Sequence, residues 1–286
     1  MSSTQPDPKA VRAVLFVDVD GTLVPETSSA IFLAARLGHA DQVAEAEAAW
    51  DAGLVTGRHV EELDARGWAG STEVQVSEWL AELPLVHGIG DVVAWCRDHD
   101  VVPALATLAW RPVGTYLCQA FGFDNCCGPA LEIRDGVFTG IVLWSCDEYG
   151  KRDFAKGLAE QHGLSLDRCA AIGDSRSDLP LFDEVGLAIA FNADRNARAH
   201  AHVEIDSSDL SDAIPTLERW LLAVDTSPEL GEHSSDQFRA ANCGSVGLAA
   251  ADVHAVGGQL GNHLVDVVGS HDRLHSGAYL ARCPEC

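Results

Sequence analysis

The chain has 286 residues, 47% of them hydrophobic, enough for one large domain or two modest ones with a filled core. Its 43 acidic against 19 basic residues give a net charge of −24, a surface that repels nucleic acid and anionic membranes. No apolar run approaches a membrane span, and the polar segment 1–9 lacks the apolar stretch of a secretory leader.

Residues 13–17, Ala-Val-Leu-Phe-Val, read as a buried parallel strand. It delivers Asp18 and Asp20 to its carboxyl end, where open α/β sheets bind ligands. At period 2 their side chains share one side, and Gly21 lets the backbone turn sharply. Carboxylates crowded in this way repel one another and ask for Mg²⁺. Residues 26–82 read as helical: 30–37 closes at Gly38, and 44–50, 61–66 and 74–83 follow.

From Pro84 onward strands alternate with helices. A helix over 89–99 leads to a strand over 101–107 that ends in Thr107, and a helix over 113–121 follows. Short strands at 131–133 and 137–142 are joined by Asp135-Gly136, a hairpin signal. Lys151 opens a helix over 152–162, and the strand 170–173 ends in Gly173-Asp174, with Asp178 four residues on. Helix 179–184, strand 187–191, helix 195–200, an edge strand at 203–205 and helix 210–224 complete the pattern. Strands alternating with helices predict an α/β fold, a doubly wound parallel sheet.

A polar linker follows, and residues 226–286 read as a C-terminal extension of unknown role, rich in Gly, Ala and His. Cys243, His254, His263, His271, His275, Cys283 and Cys286 are residue types that ligate zinc. The single C-x-x-C at its end has no second pair, so a loosely ordered or small appended piece is the preferred reading. Nine cysteines, an odd number and mostly scattered, fit reduced thiols in cytoplasm better than a disulfide framework.

The ordered set D-x-D at 18–20, Thr107, Lys151 and G-D-x-x-x-D at 173–178 resembles the haloacid dehalogenase-like superfamily, and within it the phosphoserine phosphatase branch, over about residues 13–220. The resemblance implies a Rossmann-like catalytic core (1–24 and 84–225) with an inserted helical cap (25–83). It implies a phosphatase of a small-molecule phosphate monoester that works through an aspartyl-phosphate. Asp18 is then the nucleophile and Asp20 the general acid and base. Mg²⁺ is held by the Asp18 carboxylate, the Asp20 backbone and Asp174, with Asp178 behind them orienting water or Lys151, and Ser177 beside it. Thr107 and Lys151 hold the phosphoryl group, and the backbone N–H groups of Gly21 and Thr22 complete its cradle.

The chain departs from that branch in two places. Thr107-Leu108-Ala109-Trp110-Arg111 stands where the branch carries Ser-Gly-Gly, which places Trp110 and Arg111 near the site. Glu62-Leu63-Asp64-Ala65-Arg66 carries Asp64 where the branch has an arginine for the substrate carboxylate, and Glu26 is a rough counterpart of its amine-binding glutamate. The expected substrate therefore presents an amine or hydroxyls to Glu26 and Asp64, as an amino-alcohol or aminosugar phosphate would, with Arg66, Trp110 and Arg111 in its surroundings. Phosphoserine itself, and a phosphotransferase or mutase reaction through the same intermediate, are the alternatives. Oligomeric state is not legible.

Overall fold

The computed structural model describes residues 10–226. The extension and its cysteines and histidines, on which the zinc reading falls, lie outside the described residues.

The first strand, β1 (Ala13–Val17), is fully buried and pairs in parallel with β2 (Val101–Leu105) on one side and β6 (Cys169–Gly173) on the other. With β3 (Asn125–Cys126), β7 (Leu187–Phe191) and β8 (Val203–Ile205) they form a six-stranded sheet in the order β3-β2-β1-β6-β7-β8, all pairs parallel. Alternate residues of β1 face two different cores, which is why the strand reads as a continuous apolar run. Ala13, Leu15 and Val17 enter a core shared with Val92 and Val93 of α5 (Ile89–Asp98), Leu117 of α6 (Arg111–Phe121) and Leu217 of α10 (Ile214–Thr226). Val14 and Phe16 enter the other, with Ala155 and Leu158 of α7 (Glu148–Gln161), Phe182 of α8 (Leu179–Phe182) and Ala197 of α9 (Arg195–His200). The chain is thus a doubly wound α/β domain of Rossmann-like type.

Strand register positions the site. Val17 is level with Leu105 on one side and Ile172 on the other. The N–H of Asp18 continues the ladder to the Ile172 carbonyl at 2.9 Å, and the N–H of Ala106 donates to the Val17 carbonyl at 3.0 Å. Asp18, Thr107 and Asp174 therefore leave neighbouring strands at the same edge, beside the centre of the sheet.

Between β1 and α5 lie four helices, α1 (Ser29–Leu37), α2 (Ala40–Asp51), α3 (Gly57–Gly67) and α4 (Glu73–Leu80). Their inward residues Leu33, Ala65, Trp68, Val76 and Leu80 join the same core as the odd residues of β1. The antiparallel hairpin β4 (Ala130–Arg134) and β5 (Val137–Trp144) packs on α3 and hydrogen-bonds to the α3–α4 turn. There Gly70 and Phe138 N–H groups donate to Phe138 and Ser71 carbonyls, at 2.9 Å each.

Several boundaries differ from the sequence reading. The short strand β3 is too brief to show a pattern. Helix α7 begins at Glu148, because the Asp147 carboxylate caps it by accepting the Gly150 N–H at 2.8 Å. Lys151 consequently stands inside its first turn. Residues 210–213 form a 3₁₀ turn ahead of α10. At the hairpin, Asp135 and Gly136 both take positive φ, 51° and 74°, the conformation that a two-residue turn of that type needs.

Candidate active site

Three acidic groups and one lysine, Asp18, Asp174, Asp178 and Lys151, meet at the carboxyl edge of β1 and β6. Asp18 is 4% exposed; one carboxylate oxygen accepts the Val19 N–H at 2.8 Å and the other lies 3.1 Å from Lys151 Nζ. Lys151, fully buried, also holds an Asp178 oxygen at 2.5 Å. The second oxygen of Asp178 accepts the N–H groups of Asp174 and Ser175 at 3.0 and 3.1 Å. Both oxygens of Asp178 thus have donors, three in all, which fits a group that fixes the Lys151 ammonium and the 174–178 loop.

Asp174 is held from one side only, by the Thr22 hydroxyl at 2.9 Å. The Thr22 side chain therefore faces Asp174, leaving its backbone for the phosphate cradle expected of it. Two glycines make this approach possible. A Cβ on Gly21, whose φ is +84°, would lie 2.1 Å from an Asp174 oxygen, and one on Gly173 would lie 2.2 Å from the Asp178 carboxyl carbon. Ser177 is buried, with its hydroxyl 3.3 Å from that of Ser175.

Oxygens of Asp18, Asp174 and Asp178 all lie within 4.8 Å of one another. Burial, then the opposing pull of Lys151 and the push of Asp178, leaves the Asp18 carboxyl raised to about 7. Burial together with Asp18 and Asp178 raises Asp174 to about 8. For Lys151, burial works against the charge, but Asp178 and Asp18 outweigh it and hold the ammonium above its usual range. One cation against this many buried carboxylates leaves negative charge uncompensated. The donor set is all oxygen, and one Asp174 oxygen accepts from Thr22 while the other accepts from none of the described residues, so the cluster fits a hard divalent cation held by Asp18 and Asp174.

Asp20 goes elsewhere. Its oxygens accept the Ser29 N–H at 2.6 Å and the Ser29 hydroxyl at 3.1 Å, at the start of α1. Burial raises this carboxyl above its ordinary value, against the hydrogen bonds from Ser29 and the field of Lys151. Burial thus disfavours its ionised form, beside an ionic cluster. Thr107 is buried, and its hydroxyl accepts the Ala109 N–H at 3.0 Å.

The residues expected near the substrate scatter. Asp64 is 1% exposed and saturated: Trp110 Nε1 donates to it at 2.6 Å, Trp68 Nε1 at 3.3 Å, and His39 Nε2 lies at 2.6 Å. It ties α3 to the turn after Thr107 and offers no oxygen to an amine. Glu26 and Arg66 are exposed. Arg111, also exposed, lines with Glu73, Tyr116 and Phe138 a cleft of about 360 Å³ that is lined by none of Asp18, Asp20, Asp174 and Asp178.

Sequence reasoning missed Glu47 on α2, whose carboxylate accepts the Ser28 hydroxyl at 2.8 Å, one residue from the Ser29 that holds Asp20. Burial, and beyond it the nearness of Asp20 and Asp64, pushes Glu47 up to about 7. Nothing in the Ala- and Glu-rich sequence of α2 distinguishes Glu47 from its exposed neighbour Glu45; Ser28-Ser29 ahead of an apolar helical run was the one readable signal there. Arg176 of the 174–178 loop stacks on Trp50 of α2, 3.8 Å from the ring centre.

A Rossmann-like sheet with a Lys-braced acidic cluster at its carboxyl edge defines a class of hydrolases that work on anionic centres. Residues 15–183 match the haloacid dehalogenase-like hydrolases, and the chain belongs to that family. A phosphoserine phosphatase of Streptomyces coelicolor is 28% identical over 199 residues, covering 69% of this chain and 48% of that protein. One of Albidiferax ferrireducens is 30% identical over 147 residues, covering 49% and 62%. The chain thus spans about half to three fifths of these relatives. A Mycobacterium tuberculosis protein named as a probable phosphatase is 30% identical over 213 residues, covering 67% and 73%. Among solved structures, a phospho-aspartyl intermediate analogue of phosphoserine phosphatase superposes with a TM-score of 0.64 at 20% identity, covering 72% of this chain and 98% of that one.

Proposed function

We propose that this protein is a Mg²⁺-dependent phosphatase that hydrolyses a small phosphate monoester through an aspartyl-phosphate on Asp18. The observation that carries this reading is the division of labour between two neighbouring aspartates: Asp18 lies in the Lys151–Asp174–Asp178 cluster, while Asp20 is set apart on Ser29, where burial raises its carboxyl above the ordinary value. A carboxylate oxygen of Asp18 attacks phosphorus as the ester P–O bond breaks, and Asp20 gives its proton to the leaving alkoxide. Asp20, now ionised, takes a proton from water; the water oxygen attacks phosphorus, the bond to Asp18 breaks, and inorganic phosphate leaves. Lys151 and Thr107 hold the phosphoryl oxygens and their charge. Mg²⁺, when bound by Asp18 and Asp174, supplies the remaining charge neutralisation.

Residues 25–83 act in this reading as the cap over the site. The substrate class follows from what the cap offers. Arg66 and Arg111 are exposed and Arg176 is stacked on Trp50, so none of the three is poised for a substrate carboxylate. Glu47 instead presents a largely buried carboxylate near Asp20. An amino-alcohol or aminosugar phosphate would place its amine or hydroxyls there, in the role expected of Glu26 and Asp64. The names of the curated relatives favour phosphoserine as the second reading.

The deciding experiment is phosphate release from a panel of monoesters, with and without Mg²⁺, by wild type and Asp18→Asn. Metal-dependent turnover that the variant loses is the expected result. Turnover without metal, or retained by the variant, overturns the mechanism, and phosphoserine as much the best ester overturns the substrate class.

A further inference from the structure

The turn that carries Thr107 is held from two sides, and only one of them belongs to the sheet. On the sheet side the Thr107 N–H donates to the Cys127 sulfur at 3.2 Å, and the Arg111 N–H donates to the Pro129 carbonyl at 2.8 Å. Gly128 lets the Ala109 carbonyl come close; a Cβ there would lie 2.3 Å from that oxygen. Trp110, between Ala109 and Arg111, is held from the other side. Its indole Nε1 donates at 2.6 Å to one oxygen of Asp64 on α3. The second Asp64 oxygen serves Trp68 Nε1 and His39 Nε2. This anchor cannot yield. Trp68 is fully buried, and the His39 ring lies so near Gly67 that a Cβ there would fall 2.1 Å from it. His39 Nδ1 is buried with no partner among the described residues, so the ring's polar contact is Asp64.

We propose that Asp64 is a positioning residue for the hydrolysis: through the Trp110 indole it fixes the turn that aims the Thr107 hydroxyl at the phosphoryl group. Asp64 itself touches no reacting atom. The Thr107 hydroxyl accepts the Ala109 N–H at 3.0 Å, and that bond sets the direction in which its own O–H can donate. Ala109 is joined directly to Trp110, so a shift of the Trp110 backbone moves this N–H and the hydroxyl with it. Trp110 also opens α6 without a side-chain capping bond of its own.

The strengths of the holds differ. A sulfur is a weak acceptor, whereas a hydrogen bond to a carboxylate is charge-assisted and among the strong ones. Removing the indole N–H leaves the turn with its sheet-side contacts alone. A misplacement of about 1 Å in a group that grips the reacting centre costs about 10²-fold in rate. Because Asp64 stands on α3, the seating of the proposed cap is felt directly at Thr107. The effect on rate rests on the phosphatase reading; the hold on the turn does not.

The test compares Trp110→Phe and Asp64→Leu with Trp68→Phe, which takes the other indole donor from the same carboxylate without touching the turn. In the full-length chain, kcat and KM for p-nitrophenyl phosphate are measured with Mg²⁺ well below each melting temperature. Amide exchange is followed at Ala109 and, as a reference, at Leu117 inside α6. The expected result is a kcat lower by about tenfold or more in Trp110→Phe and Asp64→Leu, KM within about threefold, and a wild-type kcat in Trp68→Phe. Exchange should quicken more at Ala109 than at Leu117, and on a Thr107→Val background Trp110→Phe should cost less than about twofold further. If Asp64→Leu does not fold, Trp110→Phe decides alone. An unchanged kcat in Trp110→Phe, or an equal loss with and without the Thr107 hydroxyl, overturns the positioning role. So does an equal loss in Trp68→Phe, since disturbing the carboxylate would then suffice. If the wild type hydrolyses no ester, the phosphatase reading falls. Faster exchange at Ala109 then still upholds Asp64 as the holder of the turn, and unchanged exchange overturns it.

Discussion

At the scale of single residues, the site is a set of carboxylates kept where they repel. The clearest case is Asp18, raised to about 7 chiefly by burial. Asp18→Asn should lower phosphate release by about 10³-fold or more, since an amide is no nucleophile. The same variant should melt higher than wild type at pH 8 in the presence of a chelator, because it removes a buried charge; differential scanning calorimetry reads this directly. Glu47 makes a second case with a worked sign. Its carboxyl, raised to about 7 from 4.5, binds a proton in the folded state over a range where the unfolded chain has lost it. Stability therefore falls as pH rises from about 4.5 to about 7 on its account. Glu47→Gln should match wild type near pH 4 and exceed it above pH 7.5, by at most about 3 kcal/mol in urea titrations. If the substrate is cationic, the variant should also raise KM while leaving kcat nearly unchanged for a small neutral ester.

At the scale of elements, short loops stapled by side chains decide the site. Gly21→Ala forces a Cβ against Asp174 and a side chain into positive φ, and should cost about 2–4 kcal/mol together with most of the activity, read by thermal melts and phosphate release. Trp110→Phe keeps the ring but removes the 2.6 Å donor to a buried carboxylate, and should cost about 1–3 kcal/mol. These contacts mark the limit of what the sequence shows. The strands, the 135–136 turn and the order Asp18, Thr107, Lys151, Asp174, Asp178 are legible because each is local: an apolar run, a dipeptide, a polar residue at a strand end. Asp64 looked like a receptor because its sequence neighbours align with a binding segment. Its partners His39, Trp68 and Trp110 come from three separate stretches of chain, and no spacing rule connects them. Glu47 was invisible for the same reason, since only the packing of α2 over α1 makes it differ from Glu45. Helix α7 was misjudged at its start because Gly150 hid a helix that Asp147 already caps.

At the scale of the whole molecule, charge and metal are linked. With Asp18 at about 7 and Asp174 at about 8, protons compete with a divalent cation for the same oxygens. Added Mg²⁺ should therefore raise the melting temperature, and raise it more at pH 8 than at pH 6; an equal rise at both would place the cation elsewhere. The hairpin β4–β5 bears on how such a ligand gets in. Because its backbone is bonded to the 70–73 turn, helices α1–α4, the cap of the proposed reading, are tied to the hairpin along that flank, where Trp68, Trp110 and Phe138 also interlock. Between α2 and the 174–178 loop the contact is the stacking of Arg176 on Trp50. A door hung on one jamb swings from the other. Traffic should pass between α2 and the 174–178 loop, and amide exchange in α1 and α2 should outpace that in α3 and α4.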